Sequence, residues 1–127
     1  MNYKNLYNEQ LLDHYNHPKH KGVLEKANMS SGVFNPSCGD SVSLQAHVQD
    51  GRITACKFQA AGCVISCAAA SMFVNKVIGL SLDEIMTFDK QTMLNLVKLD
   101  LGPTRLRCAL LPLEALHNAI KKYGEKA

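Results

Sequence analysis

One alternating segment constrains the fold of this sequence more than any other. Apolar side chains occupy every second position from Val42 to Val48, and polar side chains stand between them. A period of two with one polar face is typical of a strand whose other face is buried. Asp50 and Gly51 follow directly, and an Asp-Gly pair beside such a strand is a strong hairpin signal. The segment therefore predicts an antiparallel hairpin that covers a core on one side.

Two neighbouring segments extend this hairpin into a small sheet. The returning strand runs from Arg52 to about Gln59, and its expected inward residues are Thr54, Cys56, Phe58 and Ala60. A short strand at residues 31–35 adds a third antiparallel member. The turn between the first two strands then contains Asn-Pro-Ser-Cys-Gly-Asp, residues 35–40.

Helical patterns surround the strands. A first helix is predicted from Asn5 to about Asn16, and an alanine-rich buried helix follows Gly62 and ends near Gly79. Residues 81–88 begin with a capping-box pattern, and residues 89–99 form a second short helix. The last helix carries an apolar stripe, which consists of Leu106, Leu110, Leu113, Leu116 and Ile120.

These elements predict one α+β domain that spans residues 1–127. We expect a small three-stranded antiparallel sheet packed against helices, with an N-terminal helix and a long C-terminal helix. The absence of an internal repeat or a linker-like segment agrees with a single domain.

Composition and charge exclude several classes of partner. The chain is 46% hydrophobic and 20% charged, and its net charge of +3 comes from scattered basic residues, so we expect no nucleic-acid partner. The N-terminal residues lack the apolar region of a signal peptide. The most apolar stretch, residues 60–74, is shorter than the ~20 residues of a spanning helix. We therefore expect a cytoplasmic protein with no membrane partner.

The five cysteines bear most directly on function. Disulfides are not expected in a reducing compartment, and the number of cysteines is odd. The sequence has no closely spaced Cys-x-x-Cys pair, which disfavours a zinc ribbon or finger. Buried structural thiols, metal ligands and nucleophiles remain as alternatives.

Three of the cysteines are predicted to lie at junctions between elements. Cys38 lies in a turn, Cys63 separates a strand from a helix, and Cys108 precedes the final helix. Pro112 cannot donate to the Cys108 carbonyl, which places Cys108 at the N-terminus of the regular helix, where a thiolate is favoured. Any one of them alone is equally consistent with a small buried side chain. Together they indicate a metal or sulfur site.

The other two cysteines fit structural roles better. Cys56 lies on the apolar face of a strand beside Phe58, as a core residue would. Cys67 follows Cys63 by one helical turn and could complete an all-cysteine set of ligands. Its alanine neighbours favour tight helix packing instead.

Three separated motifs resemble those of the U-type iron–sulfur cluster assembly proteins, the IscU/SufU/NifU N-terminal family. They are Asn-Pro-Ser-Cys-Gly-Asp at 35–40, Gly-Cys-Val-Ile-Ser-Cys-Ala at 62–68 and Gly-Pro-Thr-Arg-Leu-Arg-Cys at 102–108. The segment Leu-Leu-Asp-His-Tyr-Asn-His-Pro at 11–18 is similar to the N-terminal part of that family. The resemblance covers nearly the whole chain.

This resemblance implies a site and a function. By motif, Cys38, Asp40, Cys63 and Cys108 match the metal or cluster ligands of the family, and the three cysteines are candidate persulfide acceptors. Family members accept sulfur from a pyridoxal-phosphate-dependent cysteine desulfurase and assemble or relay a transient [2Fe–2S] cluster for downstream acceptor proteins. The resemblance thus implies a scaffold or sulfur acceptor rather than a turnover enzyme.

Position 107 departs from the IscU pattern. IscU-type scaffolds carry a histidine just before the last cysteine, whereas this chain has Arg107 there, which resembles the SufU kind, zinc-bound sulfur acceptors. The alternative function is therefore a zinc-dependent sulfurtransferase. The interval from Cys63 to Cys108 is too short for the insertion typical of SufU-type chains. A structural zinc module for protein contacts is a third reading, but it leaves Asp40 and Gly39 unexplained.

The two arginines before the last cysteine have open roles. Arg107 is expected either to stabilise the Cys108 thiolate or persulfide anion or to be a solvated charge at the helix start. Arg105 is a candidate contact for the desulfurase, although a plain surface charge is equally consistent.

The proposed ligand set has a chemical logic. Soft thiolates suit zinc and iron–sulfur clusters, and stable clusters usually use four cysteines. A set in which Asp40 replaces one cysteine is expected to hold its cargo less firmly, so that a transient species can leave. Gly39 is expected to take a positive φ, which lets a metal lie close to the backbone.

Overall fold

The computed structural model describes residues 9–36, 39–98 and 101–126 and has the predicted α+β plan. An N-terminal helix precedes three strands, and four more helices follow them. The elements are α1 (Glu9–Asn16), β1 (Met29–Asn35), β2 (Asp40–Gln49), β3 (Arg52–Ala61), α2 (Val64–Val77), α3 (Leu82–Met86), α4 (Lys90–Val97) and α5 (Pro103–Lys126). The part of the predicted first helix before Glu9 lies outside the described residues.

The three strands form one antiparallel sheet in the order β1-β2-β3. Alternate residues of β2 from Val42 to Val48 are buried, which confirms the predicted inward face. Helix α5 packs against β1 and β2, and α2 lies between the sheet, α1 and α5. The resulting core contains Leu44, Ile53, Phe58, Phe73, Leu111 and Leu116. Among the described helices, none is long and apolar enough to cross a membrane.

The hairpin between β2 and β3 forms at the predicted Asp-Gly pair. Asp50 and Gly51 have φ values of 53° and 74°, as a two-residue hairpin turn of the primed type requires. A register irregularity lies between His47 and Val48, where Val48 pairs with Ile53 and His47 pairs with Ala55. The extra residue of a bulge changes which side chains of a strand point inward.

This bulge makes one predicted core residue wrong. Thr54 is the residue that the register skips, and its side chain is exposed, whereas Ile53 is fully buried. The buried residues Cys56 and Phe58 lie beyond the bulge, where the predicted alternation holds. The period of two was therefore correct on only one side of the bulge.

Helix α5 begins earlier than predicted. It starts at Pro103, a residue favoured in the first helical turn, and it continues through Pro112. Cys108 therefore lies inside the helix, and its predicted position at the helix N-terminus is wrong. Pro112 removes one backbone hydrogen bond, but the buried side chains of Leu111 and Leu113 pack into the core on either side of it.

Helix α2 is buried on nearly all sides, and small side chains let its neighbours approach. Ala68, Ala69 and Ala70 have no exposed surface. The Ser71 hydroxyl lies 2.7 Å from Nδ1 of His14 and accepts from the Lys19 amide at 2.7 Å, which fastens the end of α1 to α2. The packing around α2 fixes the position of its N-terminus relative to the sheet.

The junction between β3 and α2 depends on Gly62. Its φ is +123°, a conformation that side chains rarely adopt. A Cβ atom at this position would overlap the carboxylate and the Cα of Asp40. The chain can therefore turn from β3 into α2 over Asp40 only if residue 62 has no side chain.

We expect Gly62→Ala to destabilise the protein far more than Gly51→Ala. Both substitutions put a side chain at positive φ, but the added methyl at Gly51 meets no atom within 4 Å. Backbone strain alone predicts a loss of about 1 kcal/mol for Gly51→Ala. Strain plus the overlap with Asp40 predicts a loss of about 3 kcal/mol or more for Gly62→Ala. Urea unfolding of the two variants measures the difference, and equal losses would contradict the close packing of Gly62 on Asp40.

Candidate metal centre

Three side chains from three different elements converge at one end of the sheet. Asp40 is the first residue of β2, Cys63 caps the N-terminus of α2, and Cys108 lies in the second turn of α5. One carboxylate oxygen and the two Sγ atoms lie within 4.8 Å of one another. Asp40 and Cys108 are buried, whereas Cys63 is exposed. This group of three candidate ligands therefore has two buried side chains and one exposed thiol.

The pairing of β2 with β3 creates this convergence. Ser41 pairs with Ala61, so the residues that follow Ala61 pass directly over Asp40. Cys63 then caps α2, and its sulfur accepts a hydrogen bond from the Ser66 amide at 3.5 Å. Because α5 packs on both the sheet and α2, it brings Cys108 to the same point.

The Asp40 carboxylate is held by hydrogen bonds from the start of α2. Its Oδ1 atom accepts from the Cys63 amide at 3.1 Å. Its Oδ2 atom accepts from the Cys63 thiol at 3.1 Å and from the Ser66 hydroxyl at 2.5 Å. Both oxygens are therefore oriented by the same helix terminus.

These bonds keep the carboxylate ionised although it is buried. Burial raises the pKa of Asp40, but hydrogen bonds from the Ser66 hydroxyl, the Cys108 thiol, and the thiol and amide of Cys63 outweigh it and lower that pKa to about 2. The site thus contains a permanent negative charge at neutral pH. A buried anion held by donors alone is well suited to bind a cation.

The Cys108 thiol has the opposite tendency. Burial raises its pKa, and the neighbouring Asp40 and Cys63 side chains raise it further. The sequence predicted a low pKa at a helix N-terminus, and that prediction is wrong because Cys108 lies inside α5 beside a carboxylate. Cys108 is a protonated thiol in the metal-free protein, and a bound metal would have to replace its proton.

The other predicted residues have mixed outcomes. Cys38 lies outside the described residues, so its place among the ligands stays a prediction. Cys56 is 2% exposed in the core, and burial raises its pKa to about 12, which confirms its structural role. Cys67 is half-buried, and it is not part of the group formed by Asp40, Cys63 and Cys108. Its pKa is raised by burial and by the nearby Cys63.

The residues around the predicted ligands also differ in outcome. Gly39 has a φ of +77°, which confirms the expected positive value, but among the described residues no atom beyond its chain neighbours lies within 4 Å of the Cβ position there. Gly62 is the glycine that a close approach requires. Arg105 and Arg107 are both exposed on the first two turns of α5, and their roles stay predictions.

Sequence reasoning missed two residues of this site, Gly62 and Ser66. Gly62 was used only as a boundary between a strand and a helix. Ser66 is a fully buried hydroxyl in the first turn of a mostly apolar helix. A polar residue at such a position, three residues after a candidate ligand, is a signal that could have identified it.

The donor set fits a thiophilic metal. Two sulfurs and one carboxylate oxygen are ligands that zinc and iron both accept, and a tetrahedral site requires one further ligand. Cys63 is exposed, so a further ligand could reach the metal from that side. The arrangement can thus hold a metal ion or present sulfur to one.

Comparison with known proteins agrees with these motifs. The family described as NifU-like N terminal domain matches residues 6–127. The chain is 36% identical to the mitochondrial iron sulfur cluster assembly protein 2 of Saccharomyces cerevisiae, over 97% of this chain and 81% of that protein. It is 33% identical to the iron-sulfur cluster assembly scaffold protein IscU of Thermotoga maritima, over 98% of this chain and 99% of that protein.

Solved structures share the same fold. A crystal structure described as an iron-sulfur cluster assembly scaffold protein for the SUF system, from Fervidobacterium islandicum, has a TM-score of 0.79 and 27% identity, over 94% of this chain and 99% of that one. The N-terminal part of a NifU-like protein from Brucella abortus has a TM-score of 0.80 at 22% identity, over 98% of each chain, which supports the fold alone. With its fold, its motifs and its relatives in agreement, this chain belongs to the NifU-like N-terminal domain family.

Proposed function

We propose that this protein is a scaffold on which an iron–sulfur cluster is assembled and from which it is transferred. The observation that carries this proposal is the convergence of Asp40, Cys63 and Cys108 within 4.8 Å at the accessible end of the sheet. Family membership supports it, and so do the scaffold names of the IscU and SUF-system relatives. Cys38 is proposed as the remaining ligand, from the turn that leads into Asp40.

We further propose that sulfur reaches this site from a pyridoxal-phosphate-dependent cysteine desulfurase. Cys63 is exposed, so a partner can reach its sulfur without unfolding the site. In the transfer, the Cys63 thiolate attacks the terminal sulfur of a persulfide on the desulfurase. The sulfur–sulfur bond of that persulfide breaks, and its cysteine leaves as a thiolate. The thiol proton of Cys63, which Asp40 accepts in a hydrogen bond at 3.1 Å, passes to solvent before the attack, and the bond from the Cys63 amide to Asp40 remains and orients the residue.

The carboxylate explains why the cargo would be transient. Asp40 is a hard oxygen donor among soft sulfur donors, and iron–sulfur clusters that persist usually have four thiolates. Because the hydrogen bonds that orient Asp40 do not depend on the cargo, the carboxylate keeps its place when the cargo leaves. A cluster held this way can be released to an acceptor protein.

A second candidate function is a zinc-dependent sulfurtransferase of the SufU kind. The observation that favours it is Arg107, which stands next to Cys108 and cannot serve as a ligand because it stays protonated. Zinc would be bound by the same residues, and one cysteine would have to leave the metal to receive sulfur. The two functions therefore share a site and differ in what the site retains.

Reconstitution without oxygen separates the two functions. The protein is incubated with ferrous iron, cysteine and a cysteine desulfurase, and visible absorbance and bound metal are measured. A scaffold gives the spectrum of a [2Fe–2S] cluster, and Cys63→Ser, Cys108→Ser and Cys38→Ser each reduce it at least tenfold because each removes a thiolate ligand.

Cys67→Ser is the matched control for these variants. It makes the same change one helical turn from Cys63, at a residue outside the convergent group, and it should keep the cluster spectrum. Tightly held zinc with no cluster absorbance in the wild-type protein would contradict the scaffold proposal and support the zinc-dependent sulfurtransferase.

Asp40→Cys should make the site retain the cluster instead of releasing it to an acceptor protein. The substitution replaces the hard ligand by a fourth thiolate and adds no bulk against Gly62. We expect at least tenfold slower transfer of the cluster to an apo-ferredoxin, measured by circular dichroism of the acceptor, with undiminished assembly. Transfer at the wild-type rate would show that the carboxylate does not govern release.

A further inference from the structure

We propose that Ser66 is a positioning residue that holds the Asp40 carboxylate in a single orientation for the bound metal or cluster. This inference rests on the proposed function, because it concerns the same site. Ser66 is not itself proposed as a ligand. It acts through Asp40, which would bind the cargo.

The location of Ser66 is unusual for a serine inside a buried helix. It has no exposed surface, and it lies in the first turn of α2 beneath the Cys63 cap. Its Oγ atom lies 2.5 Å from Oδ2 of Asp40 and 3.5 Å from Sγ of Cys63. A buried helical serine commonly bonds to a carbonyl of its own helix, but this one reaches across to β2. One hydroxyl therefore links two candidate ligands from separate elements.

The direction of the hydrogen bonds follows from the chemistry of the groups. An ionised carboxylate can only accept, and a serine hydroxyl has one proton, so Ser66 donates to Oδ2. The single proton of the Cys63 thiol is likewise directed to Oδ2, so the 3.5 Å contact between the Ser66 oxygen and the Cys63 sulfur is a secondary one. When Cys63 loses its proton to bind a metal, the bond from Ser66 to Asp40 is unaffected.

This bond leaves a defined binding direction for Asp40. The Cys63 amide occupies one lone pair of Oδ1, and Ser66 occupies one lone pair of Oδ2. Both donors lie at the start of α2, so the carboxylate cannot rotate without losing both. Once a metal has replaced the thiol protons of Cys63 and Cys108, one of these donors remains on each oxygen, and a carboxylate held in this way favours binding through a single oxygen rather than chelation by both. Ser66 thereby sets how strongly Asp40 binds and in which direction.

Ser71 provides a matched control on the same helix. It is also fully buried, but its partners are His14 and the Lys19 amide, away from the candidate ligands. Ser66→Ala and Ser71→Ala therefore make the same chemical change in the same helix and each remove buried hydrogen bonds. A purely structural role for Ser66 predicts that both variants affect metal binding equally little.

The test is a double-mutant cycle on zinc affinity, since zinc alone probes the donor set without cluster chemistry. The variants are Ser66→Ala, Asp40→Ala and the double variant, with affinities from competition against a chromophoric chelator. We expect Ser66→Ala to lose about 10- to 100-fold in affinity, as loss of a partner of a metal ligand typically does. The double variant should bind no more weakly than Asp40→Ala, because Ser66 acts only through Asp40.

Two further measurements separate positioning from stability. The visible spectrum of the cobalt-substituted protein should change in Ser66→Ala and stay as in wild type in Ser71→Ala, although urea unfolding shows both to be destabilised. Ser66→Thr keeps the hydroxyl and should bind zinc with an affinity closer to wild type than to Ser66→Ala.

Wild-type zinc affinity in Ser66→Ala would overturn the inference, and so would losses that multiply in the double variant. A different result would disprove the proposed scaffold function. A protein that forms no cluster but keeps the coupling between Ser66 and Asp40 in zinc affinity would disprove the scaffold function and support the positioning role.

Discussion

The contact between Gly62 and Asp40 is the constraint on which the rest of the site depends. The backbone passes over the carboxylate so closely that residue 62 cannot carry a side chain. That passage places the Cys63 amide on Oδ1 of Asp40 and the Ser66 hydroxyl on Oδ2. The end of the sheet and the start of α2 are thus joined through one side chain. Any change that moves β3 relative to β2 moves the candidate ligands apart.

The electrostatics of the site follow from this arrangement. Asp40 is 2% exposed, and its carboxylate accepts hydrogen bonds from Ser66, Cys108 and Cys63. Its negative charge in turn disfavours ionisation of Cys108. The metal-free protein therefore has an ionised Asp40 beside a protonated Cys108 thiol. A divalent cation would allow both side chains to be negatively charged. Affinity for a cation and the capacity to release it arise from the same pair of residues.

The parts of the fold that were predictable have local causes. The inward face of β2 and the turn at Asp50 and Gly51 follow from alternation and from turn chemistry within a few residues. The exposure of Thr54 was not predictable, because a bulge depends on how two strands pair. The early start of α5 was missed because a local rule about Pro112 was given more weight than the burial of Leu111 and Leu113, a property of the assembled core.

The candidate site was predictable to a different extent. The ligand set came from motif resemblance, whereas spacing alone left each cysteine equally consistent with a packing role. The structure brings Asp40, Cys63 and Cys108 together. The roles of Gly62 and Ser66 in placing Asp40 depend on contacts between separate elements. Periodicity in the sequence does not predict such contacts.

X-ray absorption at the zinc edge of the zinc-loaded protein tests the mixed thiolate and carboxylate centre most directly. Ligation by Asp40 and three cysteines predicts three sulfur atoms at about 2.3 Å and one oxygen at about 2.0 Å. The oxygen should be replaced by a fourth sulfur in Asp40→Cys. Four sulfur ligands in the wild-type protein would contradict the central claim, since they would mean that Cys67 binds the metal and Asp40 does not.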